Sequence, residues 1–290
     1  MAVYVLYHAH CIDGSGACYA AWKKYRDNAK YIPVQYGHDF PDIKLSVEDE
    51  VYIVDFSYSK DILLQVHKQV GKLVVLDHHK SAQTILKNLD FAYFDLSKAG
   101  AILAWEYFHP NEDIPYVLKL AQDRDLWKYD YQDTHPFYEY IECYKHHNNM
   151  LEWDKLVNDN AHLEIALETG RALYTAKTVR VTHFVYRGKK IGVTNIDGKR
   201  VAVYNTTTDI SDIADTALKS KELNVDYTMS YVITPKLDII MSFRSRSADI
   251  ADVSKIATSH GGGGHPTAAG AFVAYPESME VLKKFTGKKV

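Results

Sequence analysis

Near the amino terminus, three apolar runs each end in imidazole or carboxylate side chains, and this pattern constrains the fold more than any other feature of the chain. Leu73-Val74-Val75-Leu76 leads into Asp77-His78-His79. Val3-Tyr4-Val5-Leu6-Tyr7 leads into His8-Ala9-His10-Cys11-Ile12-Asp13-Gly14, and Val51-Tyr52-Ile53-Val54 leads into Asp55. Runs without polar alternation read as strands buried on both faces. Open α/β sheets bind ligands at the carboxyl edge of their strands. Polar groups that follow three such strands are therefore expected to meet at one edge.

The segments between them support a mostly parallel sheet. Ser15–Tyr25 reads as a helix whose small residues, Ala17, Cys18, Ala20 and Ala21, permit close approach to a sheet, and Gly14 leaves room for an anion at its start. Tyr31–Tyr36 reads as an edge strand, because Pro33 lacks a ladder donor. Ser59–Val70 places Ile62, Leu63, Val66 and Val70 at helical spacing, and Gly71 ends it. Phe91–Asp95 reads as a short strand, and Ser97–Phe108 as a helix with Gly100 as a weak point. Ile114–Asp123 reads as a further helix. Strand and helix alternate over short links, the signature of α/β folding.

Beyond Thr134 the pattern changes to helix, then to a strand-rich remainder. The expected division is 1–150, a helical connector at 151–181, and a smaller α/β domain at 182–290, with an active-site cleft between the domains. Asp197-Gly198 between Lys190–Thr194 and Val201–Tyr204 signals a hairpin. Ala271–Ala274 is expected to be the last strand. Just before it stands Gly261-Gly262-Gly263-Gly264-His265. Four glycines in succession suit a loop whose amides wrap an anion, or else a flexible turn. Arg244 follows a strand and can clamp a phosphate with two donors.

The chemistry of the three strand ends narrows the ligand. Histidine and aspartate together suit Mn²⁺, Mg²⁺ or a mixed nitrogen and oxygen site. His8, Asp13, Asp55 and His78 are the candidate ligands, with Asp55 able to bridge two ions; His10 is a further candidate. Asp77 is placed to orient a histidine, which leaves His79 for the substrate phosphate. Asp123 and Asp125 compete for one remaining ligand position, and Asp123 is preferred. Trp127 reads as packing. A formal net charge of −3 does not suit a partner as polyanionic as a long duplex. Cys11, Cys18 and Cys143 form no disulfide framework. With no long apolar run and no basic leader, a cytoplasmic protein without membrane attachment is expected. A homodimer is compatible with this reading.

These motifs, in this order and over nearly the full length, resemble the DHH–DHHA1 phosphoesterase superfamily, and within it the nanoRNase-like phosphodiesterases of short oligonucleotides. The resemblance implies a two-Mn²⁺ centre, with Mg²⁺ or Co²⁺ as alternatives, held by His8, Asp13, Asp55, His78 and Asp123. It implies that His79 faces the attacked phosphate, while Arg244 and the Gly263-Gly264-His265 region hold the far end of the substrate. The implied activity is metal-dependent hydrolysis of very short RNA to mononucleotides. Action on 3′-phosphoadenosine 5′-phosphate or cyclic dinucleotides is an alternative, and a non-catalytic phosphate sensor is another. One residue departs from the family pattern: Cys11 stands where the opening motif usually has its first aspartate. Cys11 is thereby a further candidate ligand, suited to a softer ion.

Overall fold

Along the first strands, side chains alternate between two apolar cores. Tyr4 and Leu6, Val51 and Ile53, and Leu73 and Val75 enter one core; Val5 and Tyr7, Tyr52 and Val54, and Val74 and Leu76 enter the other. With a period of two, a strand that is apolar at every position must be covered on both sides. The computed structural model, which describes residues 1–188 and 190–287, shows how. It divides into two units, Met1–Tyr174 and Thr175–Val290.

In the first unit, β1 (Val3–His8), β2 (Ala29–Val34), β3 (Glu50–Val54), β4 (Lys72–Asp77) and β5 (Ala92–Phe94) form a sheet of order β2-β1-β3-β4-β5. Every pairing is parallel. One face carries α1 (Ile12–Tyr25), α4 (Gly100–Phe108), α5 (Tyr116–Asp125), α6 (Thr134–Tyr144) and α7 (Met150–Asn158), whose Tyr19, Trp105, Leu118, Phe137 and Trp153 fill a common core. The other face carries α2 (Lys60–His67) and α3 (Lys80–Leu86), which contribute Leu63, Val66 and Leu86. In this strand order the chain direction switches between β1 and β3, which opens a crevice at their carboxyl ends.

The unit boundary falls within α8 (Asn160–Tyr186). Trp153 and Leu156 of α7 and Ala166 and Leu167 of α8 belong to the first unit's core. The stretch read as a connector thus supplies packing residues to the first unit.

The second unit has β6 (Gly192–Ile196), β7 (Lys199–Asn205), β8 (Tyr227–Ile233), β9 (Ile239–Ser245), β10 (Gly263–His265) and β11 (Ala268–Val273), in the order β10-β11-β9-β8-β7-β6. Among the described residues of this unit, only β7 and β8 pair in parallel. Helices α10 (Val253–Thr258) and α11 (Glu277–Thr286) pack on one face, against Met229, Met241 and Phe243. Helix α9 (Ile210–Lys219) and the end of α8 cover Tyr204 on the other.

The glycine run departs from expectation. It is an edge strand rather than an open loop: Gly263, Gly264 and His265 pair with Gly270, Ala269 and Ala268. The last strand accordingly begins at Ala268, earlier than expected. A Cβ on Gly262 would stand 2.1 Å from the Gly270 carbonyl oxygen, and one on Gly264 would stand 2.6 Å from that of Ala268. Close backbone approach therefore accounts for two of the glycines.

Candidate metal centre

The carboxyl ends of β1, β3 and β4 bring the flagged side chains together. His8 closes β1, Asp55 follows β3, and Asp77 closes β4 ahead of His78 and His79. Helix α1 starts at Ile12, so Asp13 lies in a helical first turn and not in a loop. Two glycines make the convergence possible. A Cβ on Gly14 would fall 2.2 Å from the His8 carbonyl oxygen, so α1 could not approach β1. A Cβ on Gly100 would fall 2.5 Å from the Asp55 Cβ. Gly100 opens α4 rather than weakening it, and its amide and that of Ala101 donate to Asp13 at 2.6 and 2.8 Å. The carboxylate thereby meets the positive end of α4.

The donors fall into overlapping groups: His8, Cys11 and Asp55; Asp13, His78 and Asp125; and Asp55, Asp77, His78 and His79. Within each, one donor atom per residue lies within 4.8 Å of the others. Asp55 stands between the first two. Its Oδ2 is 3.6 Å from His8 Nδ1 and its Oδ1 is 3.2 Å from His78 Nε2. His78 Nε2 is also 3.5 Å from Asp13 and 3.6 Å from Asp125. Asp55 is only 1% exposed, yet neither carboxylate oxygen, nor His8 Nδ1, has a hydrogen-bond partner among the described residues. Buried polar atoms are almost always satisfied, and leaving a carboxylate unsatisfied costs several kcal/mol. Donors about 2.0–2.3 Å from one ion stand within about 4.6 Å of each other. The residues present therefore fit divalent cations, with one carboxylate shared.

The electrostatics agree. Burial, then the charges of Asp55 and Asp125, push the Asp13 carboxyl well up. Burial and Asp55 raise Asp125 as well. Burial, Asp55 and Asp13 raise the Cys11 thiol. For Asp55 burial is outweighed by the nearby His78 and His8 imidazoles, so its pKa falls below the usual carboxylate range. Burial opposes protonation of His78, but Asp55 raises it overall. Crowded carboxylates that suppress one another's ionisation are what a cation relieves.

His79 is held differently. Its Nδ1 lies 2.6 Å from Asp77 Oδ1, and the same oxygen accepts from the His78 and His79 amides. Ser57 Oγ donates to the other Asp77 oxygen at 2.5 Å. Against the effect of burial, Asp77 lifts the His79 pKa to about 9. Ser57 was not singled out by sequence; nor were Tyr36 and Phe56, whose rings flank His8 at 5.4 and 6.0 Å.

Of the expected ligands, Asp123 is the one placed elsewhere. It is 3% exposed and accepts from the Asp130 and Tyr131 amides at 2.9 and 3.2 Å and from the Thr134 hydroxyl. Asp123 thus anchors the turn into α6, while Asp125, at the last position of α5, reaches the cluster. His10 is exposed and belongs to none of the three groups. Trp127, read as packing, is 45% exposed, with Arg124 stacked on its ring at 4.2 Å. Arg244 lies half-buried on β9; its guanidinium donates to the Phe243 carbonyl at 2.9 Å and to Ser211 Oγ at 3.4 Å. His265 is exposed on β10.

No family model matches the chain. It is 29% identical over 288 residues to the uncharacterized protein R106 of Acanthamoeba polyphaga mimivirus, covering 92% of this chain. The chain spans 66% of that relative's length, just under two thirds. Among solved structures it is similar to PggH, a pGpG-specific phosphodiesterase from Vibrio cholerae, with a TM-score of 0.57, 12% identity, and 98% and 97% of the two chains covered. It is also similar to RecJ from Thermus thermophilus, solved in complex with Mn²⁺, with a TM-score of 0.53, 12% identity, 98% of this chain and 51% of that one. The chain shares their fold. That fold comprises a mostly parallel α/β unit joined through helices to a smaller mixed-sheet α/β unit. Among the described residues, no helix is long and apolar enough to cross a membrane.

Proposed function

We propose that the protein is a divalent-metal-dependent phosphodiesterase of the DHH–DHHA1 type that hydrolyses very short oligoribonucleotides, dinucleotides foremost, to mononucleotides. The observation that carries this reading is the buried, unpartnered Asp55 carboxylate between His8 and Cys11 on one side and Asp13, His78 and Asp125 on the other. The fold shared with a pGpG-specific phosphodiesterase and with Mn²⁺-bound RecJ supports it, and the first of these favours a linear dinucleotide.

Divalent ions held by His8, Cys11 and Asp55 and by Asp13, His78 and Asp125 would neutralise a phosphodiester and lower the pKa of a water. The chain's residues do the rest. Asp55, with an oxygen directed to each side, holds the two positions in register. Asp77 takes His79 Nδ1 and so fixes the ring, with Ser57 and two amides fixing Asp77 in turn. With Nδ1 held by Asp77, Nε2 is the ring nitrogen left to serve a phosphate oxygen or the departing oxygen. Phe56 and Tyr36 pack beside His8 on that flank. In the second unit, Arg244 and His265 are the groups assigned to a terminal phosphate.

The test is a substrate series with Mn²⁺: a 5′-phosphorylated dinucleotide, a pentanucleotide, long RNA, a cyclic dinucleotide and 3′-phosphoadenosine 5′-phosphate. The dinucleotide should be turned over fastest and long RNA barely at all. Equal turnover of long RNA, or no turnover of dinucleotides, would defeat the proposal.

A further inference from the structure

Cys11 occupies the position before α1, where its carbonyl accepts from the Ser15 amide and hydroxyl at 2.9 and 2.6 Å. That bonding fixes its backbone, and its sulfur stands with His8 and Asp55 in one donor group. The two other members bring the independent evidence of a ligand. His8 Nδ1 and the Asp55 carboxylate oxygens are buried, lie against one another and have no partner among the described residues. The other half of the centre, Asp13, His78 and Asp125, offers two carboxylates and one imidazole and no sulfur. The two halves therefore differ in softness. Oxygen-rich sites suit Mn²⁺ and Mg²⁺; a thiolate selects softer ions. One sulfur, one nitrogen and one carboxylate is also the protein donor number of a catalytic zinc-type site.

We propose that Cys11 is a thiolate ligand in the His8–Asp55 half of the centre, so that this half takes a softer divalent ion, Zn²⁺, Co²⁺ or Fe²⁺, while the Asp13–His78–Asp125 half takes a hard one. This rests on the metal-centre reading above. Binding exchanges the S–H bond for a metal–sulfur bond, and the thiol proton leaves to the buffer. No change of oxidation state is involved.

The experiment is an anaerobic Co²⁺ titration of the metal-free full chain, followed by absorption. A thiolate bound to Co²⁺ gives a sulfur-to-metal charge-transfer band in the near ultraviolet, which nitrogen and oxygen ligands do not give. The band should saturate at one equivalent, vanish in C11S and C11D, and persist in C143S, the control for the exposed thiol. C11D should also shift the ratio of Co²⁺ to Mn²⁺ affinity by about tenfold toward Mn²⁺. Co²⁺ binding without the band, a band retained in C11S or C11D, or a band lost in C143S would each overturn the proposal. Failure of both Co²⁺ and Mn²⁺ to bind would instead remove the metal-dependent function on which it stands. Circular dichroism of C11S and C11D separates loss of a ligand from loss of fold, and two variants guard against one misfolding.

Discussion

The strand ends of the first unit and the glycine run of the second both look like phosphate chemistry in sequence, yet the structure treats them oppositely. At the strand ends, buried polar atoms have no hydrogen-bond partner among the described residues: both Asp55 oxygens and His8 Nδ1. In the glycine run, the backbone pairs with β11, and the missing side chains at Gly262 and Gly264 are explained by carbonyl oxygens that a Cβ would strike. A site built for a ligand shows itself by unmet polar demand. A glycine run shows only that two backbones come close, and a further role must be demonstrated by binding.

The sharpest way to break this contrast is to alter Asp55. D55N keeps the shape and removes the charge, so turnover with Mn²⁺ should fall roughly a thousandfold or more. Near-normal steady-state rates would end the role assigned to this carboxylate.

Asp123 and Asp125 provide the next test. D125N should lower Mn²⁺ affinity by about 10–100-fold with little change in thermal midpoint. D123N should do the reverse. Asn keeps one acceptor oxygen, so either the Asp130 amide or the Tyr131 amide and Thr134 hydroxyl lose their acceptor, at a cost of about 1–3 kcal/mol in denaturant unfolding, with metal affinity affected far less. If the two variants exchange these phenotypes, Asp123 is the ligand after all.

That pair also marks where sequence stops being legible. The strands and their ends were readable because an uninterrupted apolar run has one stable environment, a sheet covered twice. Which of two aspartates at a helix end turns toward the sheet was not readable. Residues two apart on a helix point to nearly opposite sides, and the rotation of α5 is set by packing of Val117, Leu118 and Ala121 against distant residues. A clue existed in Thr134 and the turn before it, which give Asp123 its partners. Gly100 was misread for a similar reason: helix propensity counts against glycine, and nothing local reveals that Asp55 lies against it. β10 was invisible because glycine is a poor strand former, and only its pairing with β11 makes it one.

Within the glycine run, G264A and G263A separate packing from binding. Gly264 has φ of 141° and a carbonyl oxygen in the way, so G264A should cost about 1–3 kcal/mol by chemical denaturation. Gly263 has open space where its Cβ would be, and G263A should stay within about 0.5 kcal/mol of the parent. Equal destabilisation would contradict the packing explanation. R244A tests the other half of the phosphate assignment. Its guanidinium bonds one neighbouring carbonyl and one hydroxyl, so the variant should fold normally and raise KM for a 5′-phosphorylated dinucleotide by about tenfold, with kcat nearly kept. An unchanged KM would remove Arg244 from the phosphate-binding assignment.

The most direct measurement is calorimetric titration of the metal-free protein with Mn²⁺, wild type beside D55N. A carboxylate shared by both halves of the centre predicts that the wild type binds Mn²⁺ and that D55N binds it far more weakly. Identical isotherms for the two proteins, or no Mn²⁺ bound by the wild type, would contradict it.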